Sequence, residues 1–191
     1  VAQGLKKGRL NRGAGKLKSR ALNMMSCDWD FSPPSKEYFD ELFRVSRNQI
    51  IWGGNYFNLP PSRGIVCWDK MQPWENFSQV ELAWTSFDCP ASLIRLSNTG
   101  GANKETKIHP TQKPVALYHF LLKKFVRSGN RLLDTHLGSG SSRIAAYKMG
   151  FDFWGTEIDK EYFDAQEKRF REECLGEVRL KNGNVYKQKE L

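Results

Sequence analysis

Apolar positions along this chain recur with two different periods, and the switches between them mark out the elements. In residues 35–45, Tyr38, Leu42 and Val45 fall at helical spacing with Phe39 and Phe43 alongside, and Pro33-Pro34 suits a helix start. A first helix is therefore predicted there. Residues 49–53 form a short apolar run closed by Gly53-Gly54, and residues 64–69 form a second; both predict strands. Strict alternation follows at 80–86, with Val80, Leu82 and Trp84 on one face and Glu81, Ala83 and Thr85 on the other. Residues 91–96 predict a further short strand, and the polar, glycine-bearing stretch 98–107 predicts a mobile loop. An apolar helix is expected at 115–126, and a charged helix carrying Tyr162, Phe163 and Phe170 at 160–174, ended by Gly176.

The segment 131–159, RLLDTHLGSGSSRIAAYKMGFDFWGTEID, is the most informative. Leu132 and Leu133 end an apolar run, and Asp134 to Gly140 then turn sharply. Residues 141–149 are helix-compatible, with Ile144, Ala145, Tyr147 and Lys148 on an amphipathic surface, and Gly150 is placed as a helix stop. Residues 151–156 read as a second strand, with Glu157 just past its end. Glycines at a strand-to-helix turn let a ligand approach the backbone, and an acid at the tip of the next strand can accept ribose hydroxyls. The glycine spacing lacks the third glycine of a dinucleotide loop, and Asp134 ahead of the glycines would repel phosphate. An ammonium, a ribose and no phosphate satisfy both acids, which describes S-adenosylmethionine.

Composition sets bounds on this reading. The chain has 191 residues, 39% of them hydrophobic, with six Trp, enough for one packed core. The four cysteines, Cys27, Cys67, Cys89 and Cys174, have no metal-ligand spacing and read as reduced thiols. His109, His119 and His136 are too scattered to suggest a metal, and no apolar run is long enough for a membrane span. A cytoplasmic location is expected. The net charge of +9 is uneven. Residues 1–20 carry Lys6, Lys7, Arg9, Arg12, Lys16, Lys18 and Arg20, with glycines and no acid. Such a segment reads as a mobile arm for DNA phosphates or as a solvated tail. The expected organisation is this basic segment over 1–27 followed by one domain over 28–191.

Two blocks make the chain resemble the DNA amino-methyltransferases, which modify adenine-N6 or cytosine-N4, and in particular the short phage-type members. One block is His109-Pro110-Thr111-Gln112-Lys113-Pro114 before an apolar helix. The other is Asp134-Thr135-His136-Leu137-Gly138-Ser139-Gly140-Ser141, similar to the family's Asp-Pro-Phe-x-Gly-Ser-Gly-Thr loop with Thr135, His136 and Ser141 departing from it. Gln49-Ile50-Ile51-Trp52-Gly53-Gly54-Asn55-Tyr56-Phe57, with Gly64 to Lys70, adds a third likeness. The resemblance implies an α/β, Rossmann-like S-adenosylmethionine-dependent methyltransferase fold. Its sheet would be open and largely parallel, with helices on both faces, in permuted motif order. It also implies a catalytic Asp/Asn/Ser-Pro-Pro-Tyr/Phe/Trp motif. In this order that motif belongs upstream of Val1, so an N-terminally truncated piece is expected. Ser32-Pro33-Pro34-Ser35 does not substitute, because no apolar strand leads into it and Ser35 offers no ring.

The implied activity is site-specific methyl transfer to the exocyclic amine of adenine, or of cytosine, in double-stranded DNA. The alternative is a catalytically inactive cofactor- or DNA-binding remnant. Expected cofactor residues are His109, Thr111, Gln112, Lys113, Asp134, Thr135, His136, Gly138, Gly140, Glu157 and Asp159. Lys113 is placed to meet the methionine carboxylate. Asp134 would hold the ammonium or order the loop, with a helix cap as its plain alternative, and Asp159 serves equally as an N-cap. Asn55 and Tyr56, past a strand end, line a base pocket or simply turn the chain.

Overall fold

A computed structural model describes residues 33–72, 78–97, 105, 107–179 and 185–187. The basic residues Lys6, Lys7, Arg9, Arg12, Lys16 and Lys18, Cys27, and the loop 98–104 lie outside the described residues. Elements alternate as read from the sequence: α1 (Lys36–Val45), β1 (Ile50–Trp52), a 3₁₀ turn (Gly54–Tyr56), β2 (Ile65–Asp69), β3 (Val80–Thr85), β4 (Ser92–Arg95), α2 (Val115–Phe125), β5 (Arg131–Asp134), α3 (Ser141–Lys148), β6 (Asp152–Gly155), α4 (Lys160–Leu175), β7 (Glu177–Arg179) and β8 (Val185–Lys187). The class is α/β with mixed pairing. A four-stranded sheet has the order β1-β3-β2-β4, β5 pairs with β6 in parallel, and β7 and β8 form an antiparallel pair.

The described residues cluster into two compact units. One runs to Val66 and resumes at Leu82–Ala91; the other takes Cys67–Glu81 and continues from Ser92. In the first, β1 pairs antiparallel with β3 through Ile50↔Thr85, Ile51↔Trp84 and Trp52↔Ala83. On helix α1, Tyr38, Phe39, Leu42 and Phe43 are all half-buried, and the two Phe rings supply its aromatic contacts. Phe39 stacks on Phe57 at 5.1 Å and Phe43 meets Trp84 edge-on at 5.9 Å, while Val45 is 49% exposed. The alternation of β3 gives way toward its end, where Ala83, Trp84 and Thr85 are all buried, so both faces are covered. At Gly54 a side chain is impossible, since a Cβ there would stand 2.4 Å from that of Trp84.

The second unit is built around the β5–α3–β6 crossover. Ile144, Ala145 and Ala146 are fully buried, and α3 packs against α2, β6 and α4. Burying the Ile144 side chain contributes on the order of 2 kcal/mol. Gly150 (φ +74°) and Gly176 (φ +62°) end their helices in the left-handed conformation that favours glycine. The parallel register is flush: Arg131↔Asp152, Leu132↔Phe153, Leu133↔Trp154 and Asp134↔Gly155. Both strands therefore end side by side, and the ladder is prolonged by Thr156 N–H to the Asp134 carbonyl and Leu137 N–H to the Thr156 carbonyl, each at 2.9 Å. This register brings the glycine turn and the acid after β6 together. Trp68, fully buried, donates from its indole N–H to the Leu96 carbonyl at 2.8 Å and anchors β2 in this unit.

Candidate functional site

The glycine turn between β5 and α3 is held by its own acids. Asp134 accepts from the His136 amide at 3.0 Å and from the Ser142 hydroxyl at 2.5 Å, so the carboxylate clamps the entry of the turn to the first turn of α3. Gly138 (φ +53°) and Gly140 (φ +72°) both occupy the left-handed region. Glu157 accepts from the Gly138 amide at 2.7 Å with one oxygen and from the Asp159 amide at 3.0 Å with the other. A carboxylate oxygen has two lone-pair sites, so this arrangement fixes the group and leaves acceptor capacity on each oxygen. Asp159 is the N-cap of α4, accepting from the amides of Glu161 and Tyr162. Thr135 and His136 lie at the mouth of the turn, their hydroxyl and Nδ1 3.0 Å apart, and His136 is exposed.

The second block folds onto the first. His109 is buried, its ring 4.3 Å from that of Tyr162 and stacked over the glycine turn: a methyl group built on Gly138 would stand 3.6 Å from three of the imidazole atoms. Thr111 lies against Nδ1 through its amide at 3.3 Å and its hydroxyl at 3.1 Å. Gln112, also buried, closes the same turn by accepting from the Ile108 amide at 2.9 Å. Lys113 reaches Glu81 at 3.0 Å, and Lys70 holds the other Glu81 oxygen at 3.2 Å. Burial works to raise the Glu81 carboxyl, but Lys113 and Lys70 outweigh it and hold it below the usual carboxylate value. Burial, with the nearby carboxylates of Asp134 and Glu81, pushes the Tyr118 phenol above its ordinary value.

Burial also holds the His109 ring below its ordinary value of 6.5, with Lys113 and Lys107 adding to the effect and the Glu157 and Asp159 carboxylates opposing it. The neutral ring suits the Thr111 amide, which needs an acceptor at Nδ1. Below 6.5 the unfolded chain protonates this ring first, so it binds more protons than the folded chain. Stability therefore rises with pH through the window between the lowered value and 6.5, and is flat in this respect above it. Thermal melts should show a loss on acidification through that window that His109→Gln lacks; equal acid slopes in both proteins would contradict this.

Several supporting residues carry no signal in the local pattern. Arg169, 6% exposed on α4, donates to the Ser139 carbonyl and the Ser141 hydroxyl of the turn. Gln166, fully buried, sits where a Cβ on Gly140 would come within 2.9 Å of its Oε1. Glycine at 140 thus serves close packing on α4 as well as the turn. Ile158, next to Glu157, is 86% exposed and offers an apolar surface beside the acid. Its position between Glu157 and Asp159 was the available sequence signal. Asn55 and Tyr56 form the 3₁₀ turn after β1 in the other unit, with Tyr56 68% exposed. Among the described residues no group of three or more His, Cys, Asp and Glu could hold a metal ion, and no helix is long and apolar enough to cross a membrane.

The N6/N4 family described as DNA methylase matches this chain over residues 15–168, a span that includes the His-Pro-Thr-Gln-Lys-Pro turn and the glycine turn. The chain belongs to this DNA methylase family. Among curated relatives it is 27% identical over 145 residues to the type II methyltransferase M2.DpnII of Streptococcus pneumoniae, covering 76% of this chain and 50% of that protein. To M2.LlaDCHI of Lactococcus lactis subsp. cremoris it is 26% identical over 141 residues, covering 74% and 48%. The chain thus spans about half the length of the curated relatives it matches. Among solved structures it is similar to the M1.HpyAVI–SAM complex at 24% identity and a TM-score of 0.44, over 70% of this chain and 68% of that one.

Proposed function

We propose that this methylase chain binds S-adenosylmethionine at the turn 134–140 and serves methyl transfer to an exocyclic amine of double-stranded DNA, adenine-N6 in preference to cytosine-N4. The observation that carries this reading is the meeting of three groups: the His109 ring over Gly138, and the Glu157 carboxylate on the Gly138 amide. The donor set fits the cofactor. Two carboxylates, Asp134 and Glu157, hold the glycine turn, and Asp159 caps α4 two residues on from Glu157, a set that suits hydroxyls and an ammonium and disfavours a phosphate. At Gly138 the missing side chain leaves the backbone open to close approach.

When bound, the sulfonium supplies an electrophilic methyl group. This chain's residues bind and orient. Glu157 accepts the ribose hydroxyls with its remaining lone pairs, and Ile158 offers an apolar surface for the purine. Asp134, with Thr135 and His136 at the mouth, receives the ammonium. Lys113 meets the carboxylate by exchanging it for Glu81, its present partner at 3.0 Å. Burial favours the neutral His109 ring, while Thr111 at its Nδ1 and Gln112 on the Ile108 amide hold that turn in shape. Gly140 lets α4 approach, and Asp159 caps it. Asn55 and Tyr56 contribute to the pocket for a flipped base, and Lys6, Lys7, Arg9, Arg12, Lys16 and Lys18 to contacts with DNA phosphates. Positioning and charge stabilisation are the protein's share of the chemistry.

Calorimetric titration with S-adenosylmethionine, followed by tritiated methyl transfer to unmethylated duplex and nucleoside analysis, tests the reading. Binding with N6-methyladenine as product is expected. N4-methylcytosine would reassign the base. Binding without transfer would favour a cofactor-binding remnant, and absence of binding would overturn the site.

A further inference from the structure

One guanidinium ties together the two motif blocks. Arg169 donates from one nitrogen to the Ser139 carbonyl at 3.1 Å and the Ser141 hydroxyl at 2.9 Å. From a second it donates to Glu105 at 3.0 Å, and its Nε donates to Glu173 at 2.7 Å, one helical turn along α4. Glu105 uses its other oxygen to accept from the Val115 amide at 3.0 Å, the first residue of α2. A chain of contacts therefore runs from the start of α2, through Glu105 and Arg169, into the glycine turn. Ser139 and Ser141 are themselves 3.0 Å apart through their hydroxyls, so the guanidinium reaches both sides of Gly140.

Burial makes this arrangement directional. Arg169 is 6% exposed on its side chain and Glu105 20%, so neither charge is well hydrated and each depends on the other. The planar fork of arginine satisfies four separate acceptors in fixed directions, which a lysine cannot reproduce. Separately, His109 lies over Gly138. The turn is gripped from the 105–114 segment by two routes, one polar through Arg169 and one through a ring.

We propose that Arg169 is a positioning residue for the cofactor site, which sets the Ser139–Ser141 backbone against the 109–114 turn through Glu105. The role rests on the S-adenosylmethionine reading above. It touches no reacting atom and acts by fixing the geometry into which the cofactor fits, so its removal should weaken binding of the folded protein and not merely its stability.

The test compares S-adenosylmethionine dissociation constants and melting temperatures for the parent, Arg169→Met, Arg169→Lys, Glu105→Gln and the double variant Glu105→Gln/Arg169→Met. Arg169→Met should bind about tenfold more weakly, with Arg169→Lys recovering part of that because one acceptor is still within reach. Glu105→Gln keeps an acceptor for the Val115 amide and loses the charge, so about a threefold loss is expected. The double variant should bind no worse than Arg169→Met, since both changes cut the same connection. Trp68→Phe, a core change outside the site, should lower the melting temperature and leave affinity unchanged. Parent-like affinity in Arg169→Met, with only its melting temperature reduced, would overturn the positioning role and leave the cofactor reading standing. A parent that does not bind overturns the cofactor reading and this role with it. Should Arg169→Met fail to fold, Glu105→Gln decides: unchanged affinity there overturns the proposal.

Discussion

Valine at Gly138 is expected to reduce S-adenosylmethionine affinity by about a hundredfold or more. Two costs combine. The backbone there has φ +53°, which an L-residue adopts at a cost of about 1–2 kcal/mol and a β-branched one at more. Bulk adds to strain. A Cβ alone would make ordinary contact with the His109 ring at 3.6 Å, and valine places two further methyls beside it. Relief requires the turn to shift, and the shift removes the Gly138 amide from Glu157. Gly138→Ala bears the backbone cost without the added bulk, so a smaller loss of about tenfold is expected. Calorimetry on all three proteins, with melting curves beside it, checks this. Undiminished binding in the valine variant would show that the cofactor does not use this turn.

Glu157→Ala should be the other large effect, also about a hundredfold in affinity. The carboxylate has two tasks. Its oxygens accept from the amides of Gly138 and Asp159, and their spare lone pairs are the proposed acceptors for the ribose. Alanine leaves two amides without their acceptor and removes the ligand's partner together. The tasks separate with a 2′-deoxy analogue of the cofactor. If Glu157 binds the ribose, the parent should discriminate against that analogue and Glu157→Ala should not. Equal discrimination in both proteins would leave Glu157 a role in the loop alone.

Sequence legibility differed between elements for physical reasons. The crossover 131–155 was readable almost to the residue because each boundary has a local cause: Gly150 can stop a helix at φ +74°, and apolar runs flank the turn. The meeting of His109 with Gly138 was implied only by resemblance, since nothing local links positions so far apart. Arg169, Glu105 and Gln166 were missed for the same reason. In the sequence they look like charged or polar members of a solvated helix and loop, and long-range burial is what changes them. Helix α1 falls where its spacing predicts, while the aromatic partners of Phe39 and Phe43, Phe57 and Trp84, are contacts that spacing cannot reveal. Strands β7 and β8 were overlooked as well. Asn182-Gly183 between them was the available hairpin signal, masked by the charge around it. Lys113 stands on Glu81, a partner that no motif supplies.

The flush ends of β5 and β6 also constrain how such a gene can change. Asp134 stands opposite Gly155, and Glu157 reaches Gly138 from there. A one-residue slip of β6 would move Glu157 along the strand by about 3.3 Å and turn its neighbours to the opposite face. Single-codon insertions or deletions in the crossover are therefore far harder to absorb than point substitutions on its outer surface.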